Sequence, residues 1–127
     1  MAPAIVHFLV GASIVLLVAA PLAVRYDVVR RQGVALATVG GIWGLFPDVR
    51  LVTPVYEERF EAFHESPWAD LFGFHYTLDL DPVRAYEIAE SGLVAVIVFV
   101  GVAAVFALAA EWGARYEPGP MDLRREM

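Results

Sequence analysis

The sequence contains no cysteine and no lysine. The first absence excludes disulfides, thiolate metal sites and a cysteine nucleophile. The second leaves nine arginines against 15 acids, a net charge of −6 that argues against nucleic acid as a partner. Charge is also missing by region, since no charged side chain occurs from Pro3 to Val24 or from Ser91 to Ala110. Histidine is scarce: His7, His64 and His75 are the only three.

What fills the chain is apolar. Hydrophobic residues make up 59% and the mean hydropathy is +0.61, against an apolar share of roughly 45–50% in soluble domains. One compact all-α membrane domain over residues 1–116 is expected, followed by a disordered tail over 117–127 with little to bury.

The first run, about residues 3–24, would form about 33 Å of helix, enough for a hydrocarbon core of about 30 Å. Val18-Ala19-Ala20 looks like a signal-peptide cleavage site. The run nevertheless lacks a basic leader, carries Pro21 where cleavage needs an ordinary residue, and is followed by Arg25, Arg30 and Arg31. It is therefore expected to be retained, with its N-terminus outside.

The second run, Gly33 to Phe46, has 14 apolar or small residues, a length that suits a re-entrant segment or a short span. Counted as a span over about 30–46, it relies on Arg30 and Arg31 snorkelling to the interface. Gly40 and Gly44, like Ala37 and Gly41, stand four residues apart and give one helix face small enough for close packing, within the chain or in a homo-oligomer. The third span, about 91–112, belongs to a helix expected to start at Asp81-Pro82 and run to about Tyr116, with Trp112 and Tyr116 at the interface. With three spans, six arginines (Arg25, Arg30, Arg31, Arg115, Arg124, Arg125) lie on one side and three (Arg50, Arg59, Arg84) on the other. This predicts a multi-pass cell-membrane protein with N-terminus outside and C-terminus cytoplasmic. No ionisable residue falls mid-span, which counts against a transporter.

Ten of the 15 acids and two of the three histidines fall in the extramembrane segment 48–90. Pro54 to Glu65 suits a short surface helix. Ser66-Pro67 reads as an N-cap and first helical residue. A helix over Pro67 to Leu78, weakened by Gly73, would put Trp68, Leu71 or Phe72, and His75 on one face, with Asp79 one turn beyond.

Three spans gather His7, Asp48, His64, His75 and Asp79 on one side of the bilayer. Imidazoles and carboxylates in that number suit a divalent metal such as zinc or manganese. Asp79 could instead fix the His75 tautomer, and Glu65 or Asp70 could act as general base. Each residue also has a plainer reading: His7 as a polar helix end, His64 as part of a solvated surface beside Glu65, His75 as a packed core histidine, Asp48 as a turn residue after Pro47.

His7-Phe8-Leu9-Val10-Gly11 and Gly44-Leu45-Phe46-Pro47-Asp48 resemble the early His-x-x-x-Gly and the Gly-Leu-x-Pro-Asp-x-Asp-His of the YdjM-like membrane-bound metal-dependent hydrolases. The resemblance implies His7, Asp48 and His75 as metal ligands and a membrane-borne ester as substrate. The chain departs from that pattern at Arg50 and Leu51, where the family has an acid and a histidine, and at Tyr76 and Leu80, which stand for the arginine and the last histidine of its His-Arg-x-x-Thr-His element. Arg50 opposes a metal at Asp48 unless it pairs with an acid. The expected function is a diverged member of this family, with or without turnover, acting on membrane lipid. The alternative is a non-enzymatic scaffold or accessory subunit of a membrane complex, docking through Gly/Ala helix faces and the aromatic outer segment.

Overall fold

A computed structural model describes residues 4–52, 55–80 and 88–116, and these contain helices and turns and no strand. The element order is α1 (Ala4–Arg25), α2 (Asp27–Arg30), α3 (Gly33–Leu45), a 3-10 helix (Phe46–Leu51), α4 (Glu57–His64), a second 3-10 helix (Pro67–Leu71), α5 (His75–Asp79) and α6 (Ile88–Tyr116).

The central element is α1, which packs against both α3 and α6. Chain direction follows from the contacts. Val6 and Leu9 near the start of α1 cluster with Ala95 of α6, while Leu16, Ala19, Ala20 and Ala23 cluster with Phe106. A Cβ at Gly113 would meet Val24 and Arg30. Thus α1 and α6 run parallel. Helix α3 runs antiparallel to both, since Gly44 at its end lies against His7 and Gly40 against Gly11.

The α1/α3 seam is a backbone-to-backbone contact. A Cβ at Gly11 would overlap the Gly40 carbonyl oxygen, and one at Gly44 would overlap the carbonyl oxygen of His7. The expected small-residue face of α3 is therefore used inside the chain, in the manner by which small residues let apolar helices approach closely. Gly41, on the same helix, accommodates the Phe8 ring.

Two helices, Ala4–Arg25 and the Gly92–Tyr116 part of α6, are long and apolar enough to cross a bilayer. Helix α3 has 13 residues and reaches only about 20 Å against a hydrocarbon core of about 30 Å. It nevertheless returns the chain to the level of His7. The opposite end of the bundle is basic, with Arg25, Arg30 and Arg31 beside the last turns of α6 and Arg115. There Arg31 pairs with Asp27 at 2.8 Å, and Arg115 pairs with Glu111.

The segment after α3 folds over the His7 end. Phe72 is its anchor: its ring stacks on Phe46 at 4.9 Å, meets Phe63 edge-on at 5.8 Å and lies 6.1 Å from Trp43. The expected helix over Pro67 to Leu78 is broken. Pro67 does start a helix, but of 3-10 type, ending at Leu71. Gly73 (φ 75°) and Phe74 (φ 60°) then take left-handed conformations, and α5 begins at His75. The predicted common face is consequently absent: Trp68 and Leu71 are exposed while His75 is fully buried. Nor does Ser66 act as a side-chain cap, because its hydroxyl donates back to the Phe63 carbonyl at 2.6 Å. The surface helix expected over Pro54 to Glu65 is α4, with Pro54 itself outside the described residues. The expected end of α6 at Tyr116 holds. Its expected start at Pro82 and the tail 117–127 lie outside the described residues.

Candidate metal centre

Five side chains from four elements meet at the covered end of the bundle: His7 of α1, Asp48 of the first 3-10 helix, His64 closing α4, and His75 and Asp79 at the two ends of α5. Each position has a local cause. His7 is held at this level by the glycine seam, its own carbonyl packing on Gly44. Asp48 follows Pro47, which lies in the first turn of the 3-10 helix after α3 and is fully buried. His75 and Asp79 are four residues apart on a single helical turn, so they share a face. That turn is tied down by Asp70, whose carboxylate accepts the Thr77 backbone N–H and the Thr77 hydroxyl, both at 2.7 Å.

The histidine side chains are 1%, 7% and 0% exposed for His7, His64 and His75, and the two carboxylates are each 15% exposed. His7 and His75 stack with ring centroids 3.7 Å apart and planes at 18°, and His64 meets His75 edge-on at 4.8 Å. The His75 Nδ1–H donates to the Gly44 carbonyl at 3.2 Å. This directs the Nε2 lone pair at the carboxylates, the arrangement found in metal-ligating histidines.

Separations among the converging atoms are informative. Asp48 Oδ1 is 3.3 Å from His75 Nε2 and 3.4 Å from His64 Nε2. Asp79 Oδ2 is 3.3 Å from His64 Nε2 and 3.9 Å from His75 Nε2, and its Oδ1 is 3.5 Å from His7 Nε2. These exceed the usual N–H···O range of about 2.7–3.2 Å. All but the 3.9 Å separation of Asp79 from His75 lie close to the donor spacing of about 3.3–3.4 Å around an ion bound at about 2.0–2.1 Å. Among the described residues, both ring nitrogens of His7 and Nε2 of His75 are buried and make no hydrogen bond, which is costly unless another ligand satisfies them. Two overlapping triads, His7/His75/Asp79 and Asp48/His64/His75, each place their donor atoms within 4.8 Å of one another. The donor set and its spacing therefore fit a divalent cation.

Burial pushes the Asp48 carboxyl up, but contact with His75 and the further imidazoles of His7 and His64 outweigh it, and the net pKa is lowered. Asp48 is thus an ionised carboxylate at neutral pH, the form that binds a cation.

All five sequence-derived candidates converge. His64 is buried in the cluster, not part of a solvated surface. The His75 tautomer is set by Gly44, not by Asp79, which faces the cluster itself. Asp70 is engaged by Thr77 in holding α5 and is no free base, and Glu65 is exposed and belongs to neither triad. The roles of Gly44 and Thr77 were missed. The close-packing spacing of Gly40 and Gly44 carried a signal for the first, and no local motif signals the second. The Arg50 side chain lies outside the described residues. Set against protein-family models, curated proteins and solved structures, the chain matches none.

Proposed function

We propose that this chain is a multi-pass membrane protein that binds a divalent metal through His7, Asp48, His64, His75 and Asp79, and that it is a diverged metal-dependent hydrolase of the YdjM-like type. The observation that carries the reading is the convergence of three buried imidazoles and two carboxylates at donor-to-donor spacing. A mixed nitrogen and oxygen set suits zinc, iron or manganese. When bound, such an ion polarises an ester oxygen and acidifies a coordinated water. The protein's part is to hold the donors rigidly: Gly44 orients His75, the α1/α3 seam fixes His7, and Asp70 fixes α5. With the imidazoles sealed, the 15% exposure of Asp48 and Asp79 makes the carboxylate side the approach for water and substrate.

Three spans with the metal end outside and the arginine end cytoplasmic complete the reading. The up-down-up course of α1, α3 and α6 and the gathering of Arg25, Arg30, Arg31 and Arg115 at one end support it.

The test is metal content by plasma mass spectrometry of the detergent-purified protein beside His75→Gln and Asp48→Asn. About one ion per chain is expected in the wild type, with strong loss in both variants at unchanged helical circular dichroism. Absence of metal after incubation with zinc or manganese would overturn the reading. Metal retained without ester hydrolysis would favour the accessory-subunit alternative.

A further inference from the structure

Beside the cluster, the same end of the molecule carries a groove of about 390 Å³, within the size range of small-ligand pockets. Seven of its eight lining residues are apolar, contributed by the start of α1, the end of α3 and the following 3-10 turn, and the eighth is Asp48. Among the described residues, Asp48 is the one that belongs both to the groove and to the metal cluster. Ile42, Phe46, Leu51 and Val52 of its lining are exposed, so its walls continue the apolar surface of α3, and none of the lining residues comes from the acidic helix α4. A polar, water-borne substrate has nothing to gain from such walls, whereas a hydrocarbon chain buries itself there and is stopped at a carboxylate of the cluster.

We propose that the groove holds the alkyl tail of an amphiphile and sets its oxygen-bearing head group against Asp48 and the metal. The proposal rests on the metal reading above and adds to it the surface that would hold the tail and select by its length. An ester, a phosphate and a carboxylate head share the oxygen-donor chemistry required. The tail determines which molecules enter. Affinity should therefore depend on chain length at constant head group, by about three- to fourfold for each added methylene while the groove fills.

The experiment uses the full chain loaded with cobalt(II), whose visible spectrum reports its ligands, titrated with methyl-, butyl-, hexyl- and octylphosphonate below their aggregation limits. Ala4→Trp and Ile42→Trp fill the groove from α1 and from α3 without touching a donor residue, and cobalt content and circular dichroism confirm that each is folded. The wild type should bind octylphosphonate at least about 100-fold tighter than methylphosphonate. Both variants should lose that gradient while keeping methylphosphonate affinity within about twofold. Partition into detergent acts equally on all three proteins, so a gradient that survives in both variants overturns the groove. Cobalt bound with a flat series, or with no response to any phosphonate, also overturns the groove and leaves the metal reading standing. Failure to bind cobalt at all overturns both.

Discussion

Gly44 does two things at one position: it lets α1 approach α3 at His7, and its carbonyl fixes the His75 ring. Gly44→Ala would drive a Cβ into the His7 carbonyl, where overpacking costs about 1–3 kcal/mol, and would move two imidazoles together. The expected outcome is lower thermal stability and loss of metal. Gly101→Ala, at a position with nothing within 4 Å, should leave metal content unchanged and stabilise α6 by up to about 1 kcal/mol through helix propensity. Equal effects of the two substitutions would refute the seam's role. Acid should separate two events at the same site. Protons compete with a metal for its imidazole and carboxylate ligands, so at fixed free metal the affinity falls as pH drops. Asp48 behaves differently, because its pKa in the folded chain is lowered from 3.8. Its contribution to stability is present above 3.8 and is lost only as pH falls through the depressed folded value. Metal release monitored by cobalt absorbance should thus precede acid unfolding monitored by circular dichroism. A single coincident transition near pH 4 would contradict this order.

At the scale of elements, α5 is too short to stand alone: five residues cannot sustain a helix on propensity. It is held by Asp70 at one end and by the left-handed pair Gly73 and Phe74 before it. A non-glycine residue in that conformation costs of order 1–3 kcal/mol, and such strain collects at functional sites. Asp70→Asn keeps the size but removes the charge that accepts two short hydrogen bonds, and Gly73→Ala adds a strained Cβ at φ 75°. Each should weaken metal binding by about 10- to 100-fold, as supporting partners of metal ligands do, although neither residue is a ligand. Isothermal titration with zinc measures this, and unchanged affinity in both would show that α5 does not depend on them. These supports explain what could be read from sequence. The apolar runs announce α1 and α6 by length alone, and Pro47-Asp48 marks where α3 gives way to the covering segment. His64 was a candidate by residue type alone, and its burial was not legible, because an isolated Glu-rich octapeptide reads as a solvated face; in the fold, Phe63 beside it packs on Phe72. The break at Gly73 was visible as a weakness in a helix. That it would aim His75 into the cluster depends on contacts with Gly44, 31 residues earlier in the chain.

For the molecule as a whole, the decisive question is whether α3, at 13 residues, carries the chain across the bilayer. Its antiparallel course beside α1 returns the chain to His7, and the outer segment then closes over the donors. If α1, α3 and α6 all span, the metal end and the arginine end face opposite compartments, and the proposed orientation has the arginine end in the cytoplasm. Because the chain has no cysteine, single substitutions report topology without background. Ser66→Cys lies beside α4 at the metal end, and Gln32→Cys lies at the exposed turn before α3. In intact cells an impermeant maleimide should label Ser66→Cys and spare Gln32→Cys until the membrane is opened. The reverse pattern would invert the orientation and give the metal site cytoplasmic substrates. Labelling of both from outside would mean that α3 does not separate the two ends, and the positive end would then need an explanation other than membrane orientation.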